Sequence, residues 1–292
     1  MRKLNLGLPL VLASVTIPAS AATLKVSPSA PQPGDVLTLT IYPQAGEKIV
    51  AGSMSAFDTP NVKFFARPDG LVRGFVGLPF DRRGGNFPIK ARVQIETNGV
   101  TIEKVISATV RARARHFPEQ RIRMGAAMAS TMNEKAALRR EKLYVQSKMK
   151  NTHAGPLWEG NWITPTKGAS SSAYGRKRWV NGKWWGQHNG ADVKAPNGAP
   201  ILATNSGRVV LAENLSTLRG KCTVIDHGCN VYSLYFHQSA ILVREGDMVR
   251  KGQLIGKVGA TGFVTGPHLH WEIRVGWEPS DPNKVVRNGL SF

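Results

Sequence analysis

At 292 residues, 41% apolar and 20% charged, the chain has the balance of a globular protein with room for two domains, and past its amino terminus no apolar run reaches the roughly 18 residues that a membrane helix needs. Lys and Arg number 39 against 19 Asp and Glu, a formal charge of +20. Such a field draws polyanions (nucleic acid, anionic lipid or acidic wall polymer), although a basic surface also serves solubility alone.

In chain order, Arg2 and Lys3 precede the apolar segment LGLPLVLASVTI and the small residues ASA at 19–21, so residues 1–21 read as a secretory signal peptide. The alternative, an uncleaved anchor, is opposed by the short apolar run and by Pro9 within it. Export places the mature chain in the periplasm or cell envelope, or outside the cell. It also ranks anionic wall polymers above nucleic acid as partners.

From 22 to 116 the pattern is that of strands. In FPIKARVQIET the apolar residues Ile89, Ala91, Val93 and Ile95 alternate with Lys90, Arg92, Gln94 and Glu96, and ISATVRARAR alternates likewise from Ile106. Asn98-Gly99 separates the two runs and suits a tight hairpin turn, because both residues tolerate positive φ. With further turns at QPGD (32–35) and PDG (68–70), the segment predicts an antiparallel, immunoglobulin-like β-sandwich without a catalytic constellation. Binding, positioning, or mere spacing are its open roles.

Residues 117–156 read as a helical linker. Thr131 and Glu134 have the spacing of a capping box, EKAALRREKLYVQSKMK is rich in helix formers, and Gly155-Pro156 stops the helix after about Lys150. From 157 to 292 short strands return between glycines, which predicts an antiparallel, strongly coiled sheet. Cys222 and Cys229 lack the CxxC spacing of a zinc site; their position around the turn DHGCN leaves both a disulfide and two free thiols open.

The stretch TGPHLHWEIRV poses the chemical question. Residues two apart on a strand share a face, so His268 and His270 point one way while Leu269, Trp271 and Ile273 point the other. In WWGQHNGADVKAP, His188 and Asp192 lie four apart with Gly190 leaving open space between them, and VYSLYFHQS ends a strand with His237 on the side of Tyr235. A carboxylate and imidazoles that converge suit Zn²⁺, and three protein ligands with one open position are the catalytic form of such a site. His116, His153 and His227 read as surface or turn residues, His227 serving the DHG hairpin.

Together, HNGADVKAPNGAPILATNSGRVV, TVIDHGCNVYSLYFHQ and VREGDMVRKGQLIGKVGATGFVTGPHLHWEI closely resemble the lysostaphin-like, LytM-type zinc endopeptidases of bacterial cell walls, over roughly 157 to 283. The resemblance implies that one zinc ion per chain is held by His188, Asp192 and His270, with His237 and His268 as catalytic histidines beside it. It implies peptidoglycan stem peptides or cross-bridges as substrate, and a monomer is expected. Tyr174 stands where the family more often has Phe, and Gln238 where it has Leu. Some relatives place a tyrosine near the oxyanion from the loop that here carries Trp184 and Trp185, so that role is not carried over. Two rivals stand beside this reading: a catalytically silent wall-binding activator of another hydrolase, and a lipoyl or biotinyl carrier suggested by GDMVRKGQLIG. The carrier lacks a modifiable lysine at the hairpin tip and leaves the histidines unexplained.

Overall fold

A computed structural model describes residues 22–57, 59–126, 130–215 and 217–292. The signal-peptide assignment therefore lies outside the described residues. Strands β1 (Thr23–Ser27), β2 (Val36–Tyr42), β3 (Glu47–Ala56), β4 (Thr59–Val62), β5 (Phe64–Ala66), β6 (Val72–Gly77), β7 (Gly85–Thr97) and β8 (Val100–Ala112) form two four-stranded antiparallel sheets, ordered β1-β2-β6-β5 and β4-β3-β7-β8. The period-two pattern explains why: Ile89, Ala91, Val93 and Ile95 bury one face of β7 against Leu37, Leu39 and Ile41 of β2, while Lys90 and Arg92 stay exposed. Asn98 (φ 51°) and Gly99 (φ 77°) turn β7 into β8 with Thr97 opposite Val100.

Next come β9 (Glu119–Ile122) and helix α1 (Lys135–Lys148), then β10 (Ala169–Ser172), β11 (Lys177–Val180), β12 (Lys183–Gln187), β13 (Ala191–Lys194), β14 (Pro200–Leu202) and β15 (Gly207–Leu215). They are followed by β16 (Gly220–Asp226), β17 (Val231–Ile241), β18 (Met248–Val249), β19 (Leu254–Val258), β20 (Leu269–Val275), β21 (Glu278–Ser280) and helix α2 (Pro282–Asn288). The main sheet runs β10-β13-β20-β17-β16-β15-β18, with β14, β19 and β21 attached, and its pairings are antiparallel as expected. One pairing departs from that expectation: β9 adds in parallel to β11, in a small sheet ordered β12-β11-β9. The segment expected to be helical linker thus begins as a strand of the carboxy-terminal half.

The helix also differs from its expected form. Thr131–Asn133 make a 3₁₀ turn closed by Glu134 N–H to Thr131 O (3.1 Å), so Glu134 occupies the N-cap, makes no side-chain capping bond, and the capping box does not form. Nor is α1 a free spacer. Val145 and Met149 pack into a core with Leu211, Leu215, Cys222, Val224, Tyr232, Leu234 and Phe236, and Tyr232 donates its hydroxyl to Met149 O at 2.6 Å. Cys222 and Cys229 are both free and buried, which settles the disulfide question.

The two halves meet through Phe75, which packs edge-on to Trp158 (5.7 Å between centroids), and through the ion pairs Arg115–Asp281 (2.7 Å) and Lys284–Asp35 (2.6 Å). Among the described residues no helix is long and apolar enough to cross a membrane.

His116 and His153 are exposed and His227 sits in the hairpin between β16 and β17, as expected, its N–H on Val231 O (2.9 Å), but its ring is fully buried. Its Nδ1 donates to Ser206 O (2.7 Å), and the Ser233 hydroxyl bridges its Nε2 (2.7 Å) to the Tyr235 hydroxyl (2.9 Å). The turn position was legible, but burial came from Trp162 closing over the ring. Burial lowers the His227 pKa to about 4. The unfolded chain takes up a proton at about pH 6.5 and the folded one does not, so stability is full above that pH and falls as pH drops toward about 4. Melting temperature measured between pH 7 and pH 4 should decline, and His227→Asn should flatten that decline while lowering the melting temperature at pH 7.

Candidate metal centre

Strand β20 lies between β13 and β17 and sorts its residues by face. Leu269, Trp271 and Ile273 enter the core, while His270, Glu272 and Arg274 lie on the opposite face. In register, Asp192 of β13 and Phe236 of β17 stand opposite His270, and directly paired residues share a face. His188 precedes β13 and is held by its backbone N–H to Arg176 O (2.9 Å) and by Gly175 N–H to its carbonyl (2.8 Å). Gly190 serves close backbone approach rather than open space, since a Cβ there would sit 2.2 Å from Trp271 O.

His188 Nε2, His270 Nδ1 and Asp192 Oδ1 lie 2.8–2.9 Å from one another, and all three residues are buried. Their outer atoms decide what this means. His188 Nδ1 is 2.9 Å from Ala173 O, a pure acceptor, so Nδ1 carries the proton. His270 Nε2 is 2.9 Å from Glu272 Oε1, whose partner oxygen is clamped by Arg274 Nε at 2.5 Å, so Nε2 carries the proton there. Both inner nitrogens therefore present lone pairs to each other and to a carboxylate oxygen. Three converging acceptors without a donor are the arrangement that a cation resolves, and two imidazoles with one carboxylate suit zinc.

The two remaining histidines stand beside this cluster around a cavity of about 550 Å³. His268 donates Nδ1–H to Gly266 O (2.8 Å), and His237 donates Nδ1–H to Thr261 O (2.9 Å). Each keeps Nε2 as an acceptor, and their rings are 4.9 Å apart. His237 does not share the side of Tyr235. Tyr235 faces the core, where its hydroxyl accepts from Thr204 N–H (2.9 Å), whereas His237 adopts φ 62°, which breaks the alternation and turns its ring to the cavity beside Phe236.

Residues 186–282 match the sequence profile of peptidase family M23, and all five of these residues fall within that span. This segment belongs to peptidase family M23. Curated relatives of the M23 segment include the peptidoglycan DD-endopeptidase ShyA of Vibrio cholerae, 43% identical over 98 residues (34% of this chain, 23% of ShyA). Another is the DD-carboxypeptidase/endopeptidase Mpg of Neisseria meningitidis, 41% identical over 102 residues (35% of this chain, 23% of Mpg). The chain thus spans under a quarter of the length of these relatives. A solved Pseudomonas aeruginosa structure described as a peptidase M23 matches 88% of this chain and 94% of its own length at a TM-score of 0.60 and 24% identity, a likeness of fold that extends well beyond the M23 segment.

Charge around the M23 cluster follows from burial set against close partners. Burial lowers His188 to about 4 against the pull of Asp192, and lowers His237 and His268 below the ordinary imidazole value. Burial also opposes a positive His270, but Asp192 and Glu272 together outweigh it and raise that imidazole, a pull on positive charge at the cluster that a proton on Nδ1 or a bound cation can satisfy. Burial opposes ionisation of Asp192 and Glu272 as well, yet His188 and His270 hold the first well below the usual carboxylate range, and Arg274 with His270 does so for the second. The carboxylates stay charged and the flanking imidazoles neutral near pH 7.

The sequence reading missed the residues that orient the ligands. Glu272 was within reach, because strand alternation places it on the face of His268 and His270. Arg178 was not: it lies in another sheet, and its Nη2 reaches Asp192 Oδ2 at 2.5 Å. Gln120 on β9 accepts from Arg178 Nε (3.2 Å) and from Ser172 Oγ (2.9 Å), so a segment outside the M23 match steadies the carboxylate. Tyr174 is buried against Phe117 with its hydroxyl on Pro279 O (3.1 Å), a packing role away from the cluster. Trp184 is exposed, and Trp185 stacks on Phe263 (5.2 Å) at the cavity wall. Gln238 donates to Thr223 Oγ1 (2.8 Å) and Tyr235 O (3.1 Å), bracing the strand beside His237.

Partners that orient metal ligands typically contribute about 10–100-fold in affinity. Glu272→Ala and Arg178→Ala should each weaken zinc binding by about that factor in a chelator competition, whereas Trp184→Ala should leave it unchanged.

Proposed function

We propose that the chain is an exported zinc endopeptidase that hydrolyses amide bonds in peptidoglycan stem peptides or cross-bridges. The observation that carries this reading is the convergence of three lone-pair donors beside a cavity into which two further imidazoles present unprotonated Nε2 atoms. His188, Asp192 and His270 would hold one zinc ion. When bound, zinc polarises a carbonyl as a Lewis acid and lowers the pKa of a coordinated water from about 15.7 to about 7.

The chain's own groups do the rest. His237 and His268, each fixed in one tautomer by a backbone carbonyl, accept the proton of the attacking water and return it to the departing amine. In their protonated form they hydrogen-bond the charge that develops on the substrate oxygen. Glu272 and Arg178 keep the ligands aimed. The names of the relatives favour the D,D-amide between stem peptides as the scissile bond. Retention of every matched ligand and of both flanking histidines disfavours the silent-activator alternative.

In this reading residues 1–21 direct export to the periplasm or cell envelope, and residues 22–116 form an immunoglobulin-like sandwich. Residues 117–156 join it to the peptidase domain at 157–292, and the chain acts as a monomer. The charge of +20 would concentrate it at anionic wall polymers.

Purified mature protein loaded with zinc should release new amino termini from isolated sacculi, and chelation should stop the release. His188→Ala and Asp192→Ala should abolish both zinc binding and hydrolysis, while His237→Ala should keep zinc and lose about 10²–10³ in kcat. Hydrolysis that survives loss of the ligands would refute the assignment.

A further inference from the structure

We propose that Glu141, on the helix ahead of the M23 segment, is a positioning residue for His237; this rests on the reading of His237 as a proton-transfer group. Glu141 is 8% exposed, and its carboxylate gathers the turn that precedes β16. Oε2 accepts from the N–H groups of Thr217 (3.1 Å) and Leu218 (2.9 Å), and Oε1 accepts from Arg219 N–H (3.3 Å) and Arg219 Nη1 (2.7 Å). Three consecutive amides and a guanidinium converge on one side chain.

That turn in turn holds the histidine. Arg219 O accepts from His237 N–H (2.9 Å), and Leu218 O accepts from Phe263 N–H (3.0 Å), which ties down the loop carrying Thr261. Thr261 O takes the Nδ1–H of His237 (2.9 Å), while Thr261 Oγ1 accepts from Lys221 N–H (2.9 Å) and donates to Gln238 O (2.9 Å). The contact between turn and loop is close enough that a Cβ on Gly220 would lie 2.3 Å from Thr261 Oγ1. His237 adopts φ 62°, a region that a non-glycine residue occupies only when its surroundings over-determine it. Both hydrogen bonds that fix it end on the turn organised by Glu141 or on the loop docked to that turn.

Anchoring of α1 alone does not call for a carboxylate at this position. Val145 and Met149 already bury the helix against the sheet, and a buried ion pair is often no more stabilising than apolar residues of similar volume. What the carboxylate adds is direction: four donors aimed at two oxygens set the turn, and through it the ring that faces the cavity.

The test uses the full mature chain carrying Glu141→Gln. NMR-detected amide exchange at 217–219 and at His237 should quicken at least about 10-fold, with β20 amides and zinc affinity held. With sacculi or a cross-linked stem peptide as substrate, kcat should fall about 10–100-fold with KM within about 2-fold, and Glu141→Gln should cost nothing further in a His237→Ala background. Unchanged exchange at His237 overturns the proposal whether or not the chain hydrolyses wall peptides. An equal loss of kcat with and without His237 also overturns it, by assigning Glu141 to general stability. If the wild-type chain hydrolyses nothing, quickened exchange still supports the positioning while the peptidase reading fails alone. Should Glu141→Gln not melt cooperatively, Glu141→Asp, which keeps the charge and shortens the reach, is read the same way.

Discussion

The structure is organised around an electrostatic conflict. Two imidazole nitrogens and a carboxylate oxygen, all acceptors, are held within 2.9 Å of one another in a buried cleft. Left alone, such groups repel or must borrow a proton. They remain together because each is gripped from behind: His188 by Ala173 O, His270 by Glu272, and Asp192 by Arg178. Held this rigidly, the three acceptors are arranged to receive a cation whose coordination they match.

That arrangement explains where the rest of the polar interior lies. Arg274 backs Glu272, Gln120 backs Arg178, and Glu141 backs the turn under His237. The ion pairs Arg274–Glu272 and Arg219–Glu141 are buried and would be a poor choice for stability alone, while Arg178 with Gln120 is partly buried. They form an outer ring of charge-assisted hydrogen bonds whose inner ends all point to the cavity. Part of that ring, Gln120 and Glu141, comes from the segment between the amino-terminal sheets and the M23 segment. The hydrogen-bond network around the cavity accordingly extends beyond the matched residues 186–282.

Phe236 and His237 illustrate how a strand can serve two masters. Regular alternation would put one of two consecutive residues in the core, and β17 is a central strand with a fully buried inner face. The left-handed backbone at His237 lets both Phe236, stacked 5.0 Å from His270, and His237 line the same cavity. The left-handed backbone thus brings the His237 ring to the cleft without removing the aromatic platform under His270.

Much of this was legible from residues alone, because it depends on periods of two and on turn chemistry. The burial of Ile89, Ala91, Val93 and Ile95, the Asn98-Gly99 turn, and the opposite faces of His270 and Trp271 all follow from alternation, which is local. The succession of HNGAD and HLH, read as a resemblance, named the three residues that do converge. What required the folded chain is whatever crosses between elements distant in sequence: Arg178 on Asp192, Gln120 on Arg178, Glu141 on the turn below His237, and Trp162 over His227. No periodicity encodes which turn a helix carboxylate will meet or which arginine a ligand will find. Those partnerships are fixed by sheet register and packing, and a single positive φ at His237 reverses the face that the pattern would have assigned.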